Sequence, residues 1–293
     1  MAWYDEDSWA TAAFAPKGST IAVTFLLVVL LPILLHQFLY RKTTPTTLPS
    51  FLLIGPSGAG KTAFLTLTER KAVAQTHTST APLAVEVLLP EGHTPQSSHY
   101  RSPGDPAYER SRRFQLHDTP GHGKLRHFAT TQLANPTSVR GIIFVVDAAS
   151  VAEEAGLNET AEYLHDVLLA LQKRYTGATS SKGPKEIPVL VAANKMDLFT
   201  ALPPHLVAQQ LEKAISEVRK SRAKGLKDSG PALGGEDDSL DEEREWLGEG
   251  GEGSFEFAQM EEVGTTVTVQ GGNVIGGDGV DVTSWYEWIA AQL

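Results

Sequence analysis

The run GPSGAGKT, at residues 55–62, has the residue types and the spacing of a loop that binds phosphate groups. It matches every fixed position of the pattern G-x-x-x-x-G-K-[S/T], in which backbone N–H groups surround phosphate oxygens. Lys61 is predicted to reach β- and γ-phosphates, and the Thr62 hydroxyl to ligate magnesium, which prefers oxygen ligands. The residues predicted to hold the phosphates are Gly55, Ser57, Gly58, Ala59, Gly60, Lys61 and Thr62.

A second polar motif, DTPG at residues 118–121, directly follows the strand-like run RRFQLH. Asp118 is predicted to hold magnesium, directly or through water. The Gly121 N–H can touch a γ-phosphate because glycine has no side chain to block the approach. An ordinary turn would have the same sequence, so the prediction depends on the position of the motif after a strand and between the other two motifs.

The third motif, NKMD at residues 194–197, indicates which base is bound. The Asp197 carboxylate only accepts hydrogen bonds, and guanine offers it a pair of donors, N1–H and the exocyclic amine. Adenine has no such pair there and would leave the carboxylate unpaired. Lys195 can lay its aliphatic chain against the base, and Asn194 can brace the loop. The three motifs together predict a site for GTP and GDP.

Strand patterns alternate with helix patterns along the rest of the chain. Apolar strand patterns occur at 50–55, 83–89, 141–149 and 265–274, and two more lead into the DTPG and NKMD motifs. This alternation predicts an α/β fold, with a mostly parallel six-stranded sheet covered by helices on both faces. The polar motifs follow the carboxyl ends of strands, where such sheets bind their ligands.

The stretch IAVTFLLVVLLPILLHQFLY, at residues 21–40, is predicted to be a transmembrane helix. Twenty helical residues reach about 30 Å, the thickness of the hydrocarbon core. A buried core helix and a cleaved signal peptide are the alternatives, but the run has no polar face and no small-residue cleavage site follows it. Arg41 and Lys42 follow the run and Lys17 precedes it, which places the C-terminal bulk in the cytosol. Trp9 and Tyr40 are expected interface anchors.

The composition of the chain excludes some classes of function, and its local changes along the sequence indicate the bounds of the segments. The formal net charge of −10 argues against a primary nucleic-acid binder, and the absence of cysteine excludes disulfides, thiolate zinc sites and a cysteine nucleophile. Residues 1–20 are predicted to be a short terminus, 41–49 a linker and 50–293 one domain. Within that domain, the glycine-rich acidic stretch 223–253 is predicted to be a solvated insertion, with an acidic recognition segment as the alternative.

Taken in order, the three motifs resemble those of the small Ras-like GTPases, over about residues 50–293. The preceding apolar run, the DTPGH sequence, the insertion ending in FEFAQM and the Trp-bearing last helix resemble the β subunits of the signal recognition particle receptor, fungal ones in particular. This resemblance implies a Ras-like GTPase domain that uses GTP, GDP and Mg²⁺ in the cytosol. A single membrane span would anchor it in the endoplasmic reticulum, with the N-terminus in the lumen.

The resemblance also implies a partner and further site residues. The partner would be the N-terminal domain of the receptor α subunit, bound through the switch regions 76–82 and 119–127, in a receptor that docks ribosomes at the translocon. The first switch should supply a threonine to magnesium: Thr78 is the first candidate and Thr80 the second, so Thr62, Thr78 and Asp118 form the expected metal set. His122 replaces the usual water-orienting glutamine and is the candidate catalytic residue. Asn273 and Val274 occupy the last guanine contact, which usually reads Ser-Ala-Lys.

Three alternatives are open at this point. A translation factor would share DTPGH and NKMD but would carry further β-barrel domains. An Arf- or Rab-type trafficking GTPase would be anchored by lipid, through a glycine after Met1 or a terminal cysteine, and this sequence has neither. A membrane scaffold that binds GTP without hydrolysing it fits His122 as well as a slow GTPase does.

Overall fold

A computed structural model describes residues 18–43, 48–102, 104–134, 138–177, 186–228, 247–248, 253–276 and 279–293. The chain divides into two compact units, Met1–Thr47 and Leu48–Leu293. Several predicted features lie partly or wholly outside the described residues. They are the terminus before residue 18 with Trp9, the linker residues 44–47, and most of the acidic insertion at 229–246 and 249–252.

The described part of the first unit is helix α1, Gly18–Thr43, which contains Pro32. Its first turn has no acidic residue. The apolar side chains at 21–35 are exposed, from 41% at Leu30 to 72% at Phe25. Among the described residues, no helix is long and apolar enough to cross a membrane.

The second unit is built on one six-stranded sheet with the order β2-β3-β1-β4-β5-β6. Its strands are β1 Ser50–Ile54, β2 Leu83–Leu88, β3 Arg113–Asp118, β4 Val139–Asp147, β5 Val189–Asn194 and β6 Val267–Gly271. All neighbouring strands pair in parallel except β2 and β3, which are antiparallel. The central strands β1 and β5 are buried at every position, as expected for strands covered on both faces.

Helices cover both faces of this sheet, as the alternation of patterns predicted. They are α2 Lys61–Arg70, α3 Pro106–Ser111, α4 His127–Ala134, α5 Glu154–Thr176, α6 Pro204–Asp228 and α7 Thr283–Gln292. Short 3₁₀ turns lie at Gln96–Ser98, Gly123–Leu125, Ser150–Ala152 and Phe257–Val263. Helices α2 and α7 pack with Phe51 and Leu53 on one face, whereas α4, α5 and α6 pack with Leu52 and Ile54 on the other.

The closing helix α7 contributes some of the largest side chains of the core. Trp285 and Ile289 have no exposed surface, and Trp288 is 7% exposed, so these side chains dock on the sheet. The Trp285 ring meets Phe64 of α2 edge to face, and the Trp288 ring meets Phe51 of β1 in the same way. Helix α7 therefore fixes the position of α2, the helix that begins at the phosphate loop.

The six predicted strands are confirmed, with two differences in local structure. Strand β6 is shorter than the strand pattern at 265–274: it spans Val267–Gly271, and Asn273 forms an isolated antiparallel bridge with Asp281 instead. The connection between β2 and β3, to which the sequence patterns assign no element, contains helix α3. Asp105 caps this helix by accepting from the Ala107 N–H at 2.8 Å, and Pro106 occupies its first position. This Asp-Pro start is a recognisable helix signal.

The antiparallel direction of β2 has a consequence for the site. Leu83 pairs with Asp118, so the beginning of β2 lies beside the carboxyl end of β3. The residues that precede β2 therefore lie at the same edge of the sheet as the carboxyl ends of β1, β4 and β5. This is why residues 76–79, distant in sequence from the motifs, lie at the same pocket.

Candidate functional site

The phosphate-binding pattern forms a tight loop between β1 and α2. Gly55, Gly58 and Gly60 have φ angles of 145°, 79° and 104°, a region that side chains strongly disfavour. Gly60 is also the N-cap of α2. The N–H groups at the start of a helix lack partners within it, so this loop presents donors and a positive dipole end to an anion.

Lys61 lies folded over this loop. Its Nζ donates to the Gly55 and Pro56 carbonyl oxygens, both at 2.8 Å, and the residue is 5% exposed. Burial lowers the pKa of Lys61 to about 8, an effect opposed by the nearby Asp118 carboxylate and reinforced by Arg126. An anionic ligand would restore the ammonium form by supplying the missing negative charge.

Thr62 and Asp118 meet across the loop. The Thr62 hydroxyl donates to Asp118 Oδ2 at 2.6 Å, and Asp118 is 1% exposed. Burial raises the pKa of Asp118, while Thr62, Lys61 and Ser79 lower it. Ser79 is near the carboxyl, but no described group makes a hydrogen bond with the buried Oδ1.

This donor set fits a magnesium ion. Magnesium usually keeps several waters and takes one or two protein oxygens together with phosphate oxygens, and a hydroxyl and a carboxylate with a free oxygen supply that set. Among the described residues, no cluster of three or more histidine, cysteine or acidic side chains could hold a metal unaided. A magnesium bound by Thr62 and Asp118 would complete its coordination with waters and phosphate oxygens.

Asn194, at the end of β5, joins two loops through its amide group. Its Nδ2 donates to the Ala59 carbonyl at 2.8 Å, and its Oδ1 accepts from the Val274 N–H at 3.1 Å. Asn194 is 3% exposed, so both bonds are shielded from water. The predicted bracing role of Asn194 thus has a definite geometry: it ties the phosphate loop to the loop after β6.

Lys195 follows Asn194 with a φ of 63°, unusual for a residue with a side chain. Its Nζ forms an ion pair with Asp147 Oδ2 at 2.5 Å, at the end of β4. The other Asp147 oxygen accepts from the N–H groups of Ala149 and Ser150 at 3.0 and 3.2 Å. Asp147 is thus fixed by backbone donors and in turn fixes Lys195.

Asp197 is exposed on the next turn, beside the loop that follows β6. A Cβ added to Gly276 would lie 2.6 Å from Asp197 Oδ2, so the carboxylate lies directly against this loop. Asn273 is hydrogen-bonded within its own loop: its Nδ2 donates to the Gly276 and Gly279 carbonyls at 2.8 and 3.0 Å. Asn273 therefore shapes the loop, while Val274 lies at the pocket.

These elements enclose a pocket of about 360 Å³ at the carboxyl edge of the sheet. The predicted residues that line it are Ser57, Gly58, Gly60, Lys61, Thr62, Thr78, Gly121, Asn194, Lys195 and Val274. Gly55, Ala59, Asp118, His122, Asp197 and Asn273 do not line it, although the first three form hydrogen bonds with residues that do. The pocket also includes Ala63, Thr76, His77, Ser79 and Ile275, while Thr80 does not line it.

His122 is exposed and caps its own turn, since its Nδ1 accepts from the Lys124 N–H at 3.4 Å. In this arrangement the ring is engaged with its own segment rather than with the pocket. The assignment of His122 as a water-orienting residue stays a prediction.

Two side chains that position the site were missed by sequence reasoning. Asp147 has a signal that could have identified it, because it is a polar residue at the carboxyl end of a buried parallel strand, as Asp118 is. Ser79 lies in the predicted first switch, but its proximity to Asp118 depends on the path of the chain before β2, which no local pattern specifies.

Comparison with known proteins gives a consistent result. A family model described as signal recognition particle receptor beta subunit matches residues 46–263. The signal recognition particle receptor subunit beta of Saccharomyces cerevisiae is 30% identical over 249 residues, 84% of either chain.

Solved structures show the same similarity. The signal recognition particle receptor SRb-GTP/SRX complex from Chaetomium thermophilum contains a chain 37% identical, with a TM-score of 0.67, and the match covers 83% of this chain and 99% of that one. The SRb-GDP-Mg structure from the same organism is 40% identical, with a TM-score of 0.61, over 85% of this chain and 100% of that one.

The buried ammonium of Lys61 predicts how ligand affinity depends on pH. Above a pKa of about 8 the free protein holds neutral Lys61, so binding GDP must first take up a proton. GDP affinity should therefore fall by roughly tenfold per pH unit above pH 8. Titration with a fluorescent GDP analogue between pH 7 and pH 9.5 measures this slope.

The matched control for this titration is Lys61→Arg, whose guanidinium stays charged over the whole range. The variant should bind GDP more weakly at every pH. Its affinity should fall with pH only through titration of the guanine base, which affects both proteins equally. If the affinity of the wild type fell with pH no more steeply than that of the variant, the lowered pKa of Lys61 would be contradicted.

Proposed function

The chain belongs to the signal recognition particle receptor β subunit family, and from this premise we propose that it is the membrane-anchored, GTP-binding subunit that holds the receptor α subunit at the endoplasmic reticulum. The Asn194 amide, which joins the phosphate loop to the loop beside Asp197, is the observation that carries the nucleotide part of the proposal. It couples recognition of phosphates to recognition of a base.

Each part of the pocket has a role in binding GTP or GDP. The N–H groups of the phosphate loop and Lys61 bind the phosphates, and Thr62 and Asp118 hold magnesium, which neutralises phosphate charge when bound there. The Asp197 carboxylate accepts from guanine, and Lys195 lies along the base. The Chaetomium relatives solved with GTP and with GDP and magnesium support this proposal.

The proposed partner is the N-terminal domain of the receptor α subunit. The complex of the Chaetomium protein with SRX supports this choice. The surface would be the two switch regions, 76–82 and 119–127, because residues 76–79 and Gly121 border the pocket where a third phosphate would lie. Partner binding would then depend on whether GTP or GDP is present.

Intrinsic GTP hydrolysis is proposed to be slow. The ring of His122 accepts a hydrogen bond from its own turn, and the usual glutamine is absent. Orienting a water for attack would require the segment to rearrange. GTP would therefore serve mainly to hold the switch regions in the form that the partner recognises.

Anchoring in the membrane is the part of the proposal that draws on the first unit. The apolar run 21–40 supports it, as do the exposed apolar side chains at 21–35, which water would disfavour. The orientation would place the GTPase domain in the cytosol, on the side of Arg41 and Lys42.

Base selectivity tests the nucleotide assignment. Asp197→Asn should lower the preference for GTP over XTP by at least roughly 100-fold, because an amide matches the changed donor pattern of xanthine. Competition binding with the two triphosphates measures the ratio, and Asp166→Asn, on helix α5 outside the pocket, is the matched control. An unchanged ratio in Asp197→Asn would disprove the base contact.

A single-turnover assay on the full chain tests hydrolysis and partner binding together. Without the α-subunit domain, GTP should be cleaved at a rate on the order of 10⁻⁴ s⁻¹. The domain should co-purify with the GTP-loaded protein and not with the GDP-loaded one. Rapid GDP formation by the isolated chain would rule out a slow GTPase, and GTP that stays intact in the complex would indicate a nucleotide-gated anchor.

Membrane extraction tests the anchor. The wild-type chain should stay with the membrane pellet after an alkaline carbonate wash. Replacing Leu27 and Leu31 together with arginine should release it, since each charge at the centre of a span costs about 3 kcal/mol. Leu198→Arg, at an exposed leucine of the second unit, is the control and should stay in the pellet. Release of the wild-type chain by the wash would refute the anchor.

A further inference from the structure

Arg126 closes the 3₁₀ turn that follows the DTPGH sequence, and its side chain reaches helix α5. Its Nη2 donates to Glu159 Oε1 at 2.8 Å. The guanidinium carbon lies 4.3 Å from the centre of the Tyr163 ring. These three residues are called the Arg126 clamp below, because they tie the second switch to a helix of the rigid core.

The two contacts of the clamp differ in their surroundings. Glu159 is 55% exposed, so an ion pair with it alone would contribute little. The Arg126 side chain is only 20% exposed, and Tyr163 is 1% exposed. A guanidinium largely removed from water interacts more strongly with the face of an aromatic ring. Since Tyr163 belongs to the core, it offers a fixed point of attachment.

The clamp acts on a segment that packs closely on the phosphate loop. A Cβ added to Gly121 would lie 2.5 Å from Lys61 Nζ and 2.6 Å from the Gly55 carbonyl oxygen. The backbone at Gly121 therefore packs directly against the phosphate loop, and Gly121 also lines the pocket. Only four residues separate Gly121 from Arg126.

We propose that Arg126 is a positioning residue, which holds residues 121–126 against the phosphate loop through Glu159 and Tyr163 and so favours GTP over GDP. This inference rests on the proposed function, because it concerns the selectivity of the same nucleotide pocket. GDP lacks the third phosphate and gains nothing from the position of Gly121. Loss of the clamp should therefore weaken GTP binding more than GDP binding.

The experiment measures the affinities of the full chain for GTP and GDP with fluorescent analogues, in the presence of magnesium. Arg126→Met keeps the length of the side chain but removes its charge, and Glu159→Gln removes only the charge of its partner. The ratio of GTP to GDP affinity should fall by roughly threefold to tenfold in Arg126→Met and by less in Glu159→Gln. Arg126→Lys, which keeps the charge, should restore part of the ratio.

The matched control is Glu86→Gln, which breaks the ion pair between Glu86 of β2 and Arg113 of β3, 3.1 Å long, away from the clamp. Its ratio should equal that of the wild type. A ratio unchanged in Arg126→Met, or equal losses of GTP and GDP affinity, would overturn the clamp. If the wild-type chain binds neither nucleotide, the proposed function itself fails. If the wild type binds both nucleotides and the variants keep its ratio of affinities, only the clamp fails.

Discussion

The site depends on the amide of one buried residue, Asn194. It is the last residue of the central strand β5, and it donates to the phosphate loop and accepts from the loop after β6 at the same time. A buried amide that lost either partner would leave a polar group unsatisfied in the interior, so both loops are held at a fixed separation. The distance between the phosphate site and the base site follows from the length of this side chain.

Burial creates the electrostatic character of the pocket. Lys61 and Asp118 attract each other, yet burial shifts the pKa of both toward the neutral forms. The protein does not fully neutralise the charge of either ionised side chain, so each favours a ligand of the opposite charge. Phosphates next to Lys61 and a cation next to Asp118 and Thr62 satisfy both requirements, which is why a nucleotide with magnesium suits this site better than either component alone.

Much of this arrangement could be predicted from the sequence, because its main signals are local. The phosphate loop, the DTPG turn and the NKMD turn each lie in a few consecutive residues. The strands before the first and the last are buried at every position, and the strand before DTPG alternates between buried and more exposed residues. The pairing of Lys195 with Asp147, the proximity of Ser79 to Asp118 and the contact of Arg126 with Tyr163 could not be predicted in this way. Each joins elements far apart in sequence, and their distances are set by packing. The exposed position of His122 likewise depends on how its turn folds, and its role in hydrolysis stays a prediction.

Because β2 runs antiparallel to β3, insertions and deletions should have different effects before β2 and after it. Because β2 and β3 form a hairpin, the connection 89–112 leaves the sheet at the edge opposite the nucleotide pocket. Residues added or lost at its exposed part, near Tyr100, change a segment across the sheet from the pocket and leave the spacing of the pocket intact. The short approach to β2 has no such freedom, because one residue more or less would displace Thr78 and Ser79 from the pocket. Over evolutionary time, length variation is expected to collect on one side of this hairpin, which is also where a fluorescent label or an affinity tag would least disturb the chemistry.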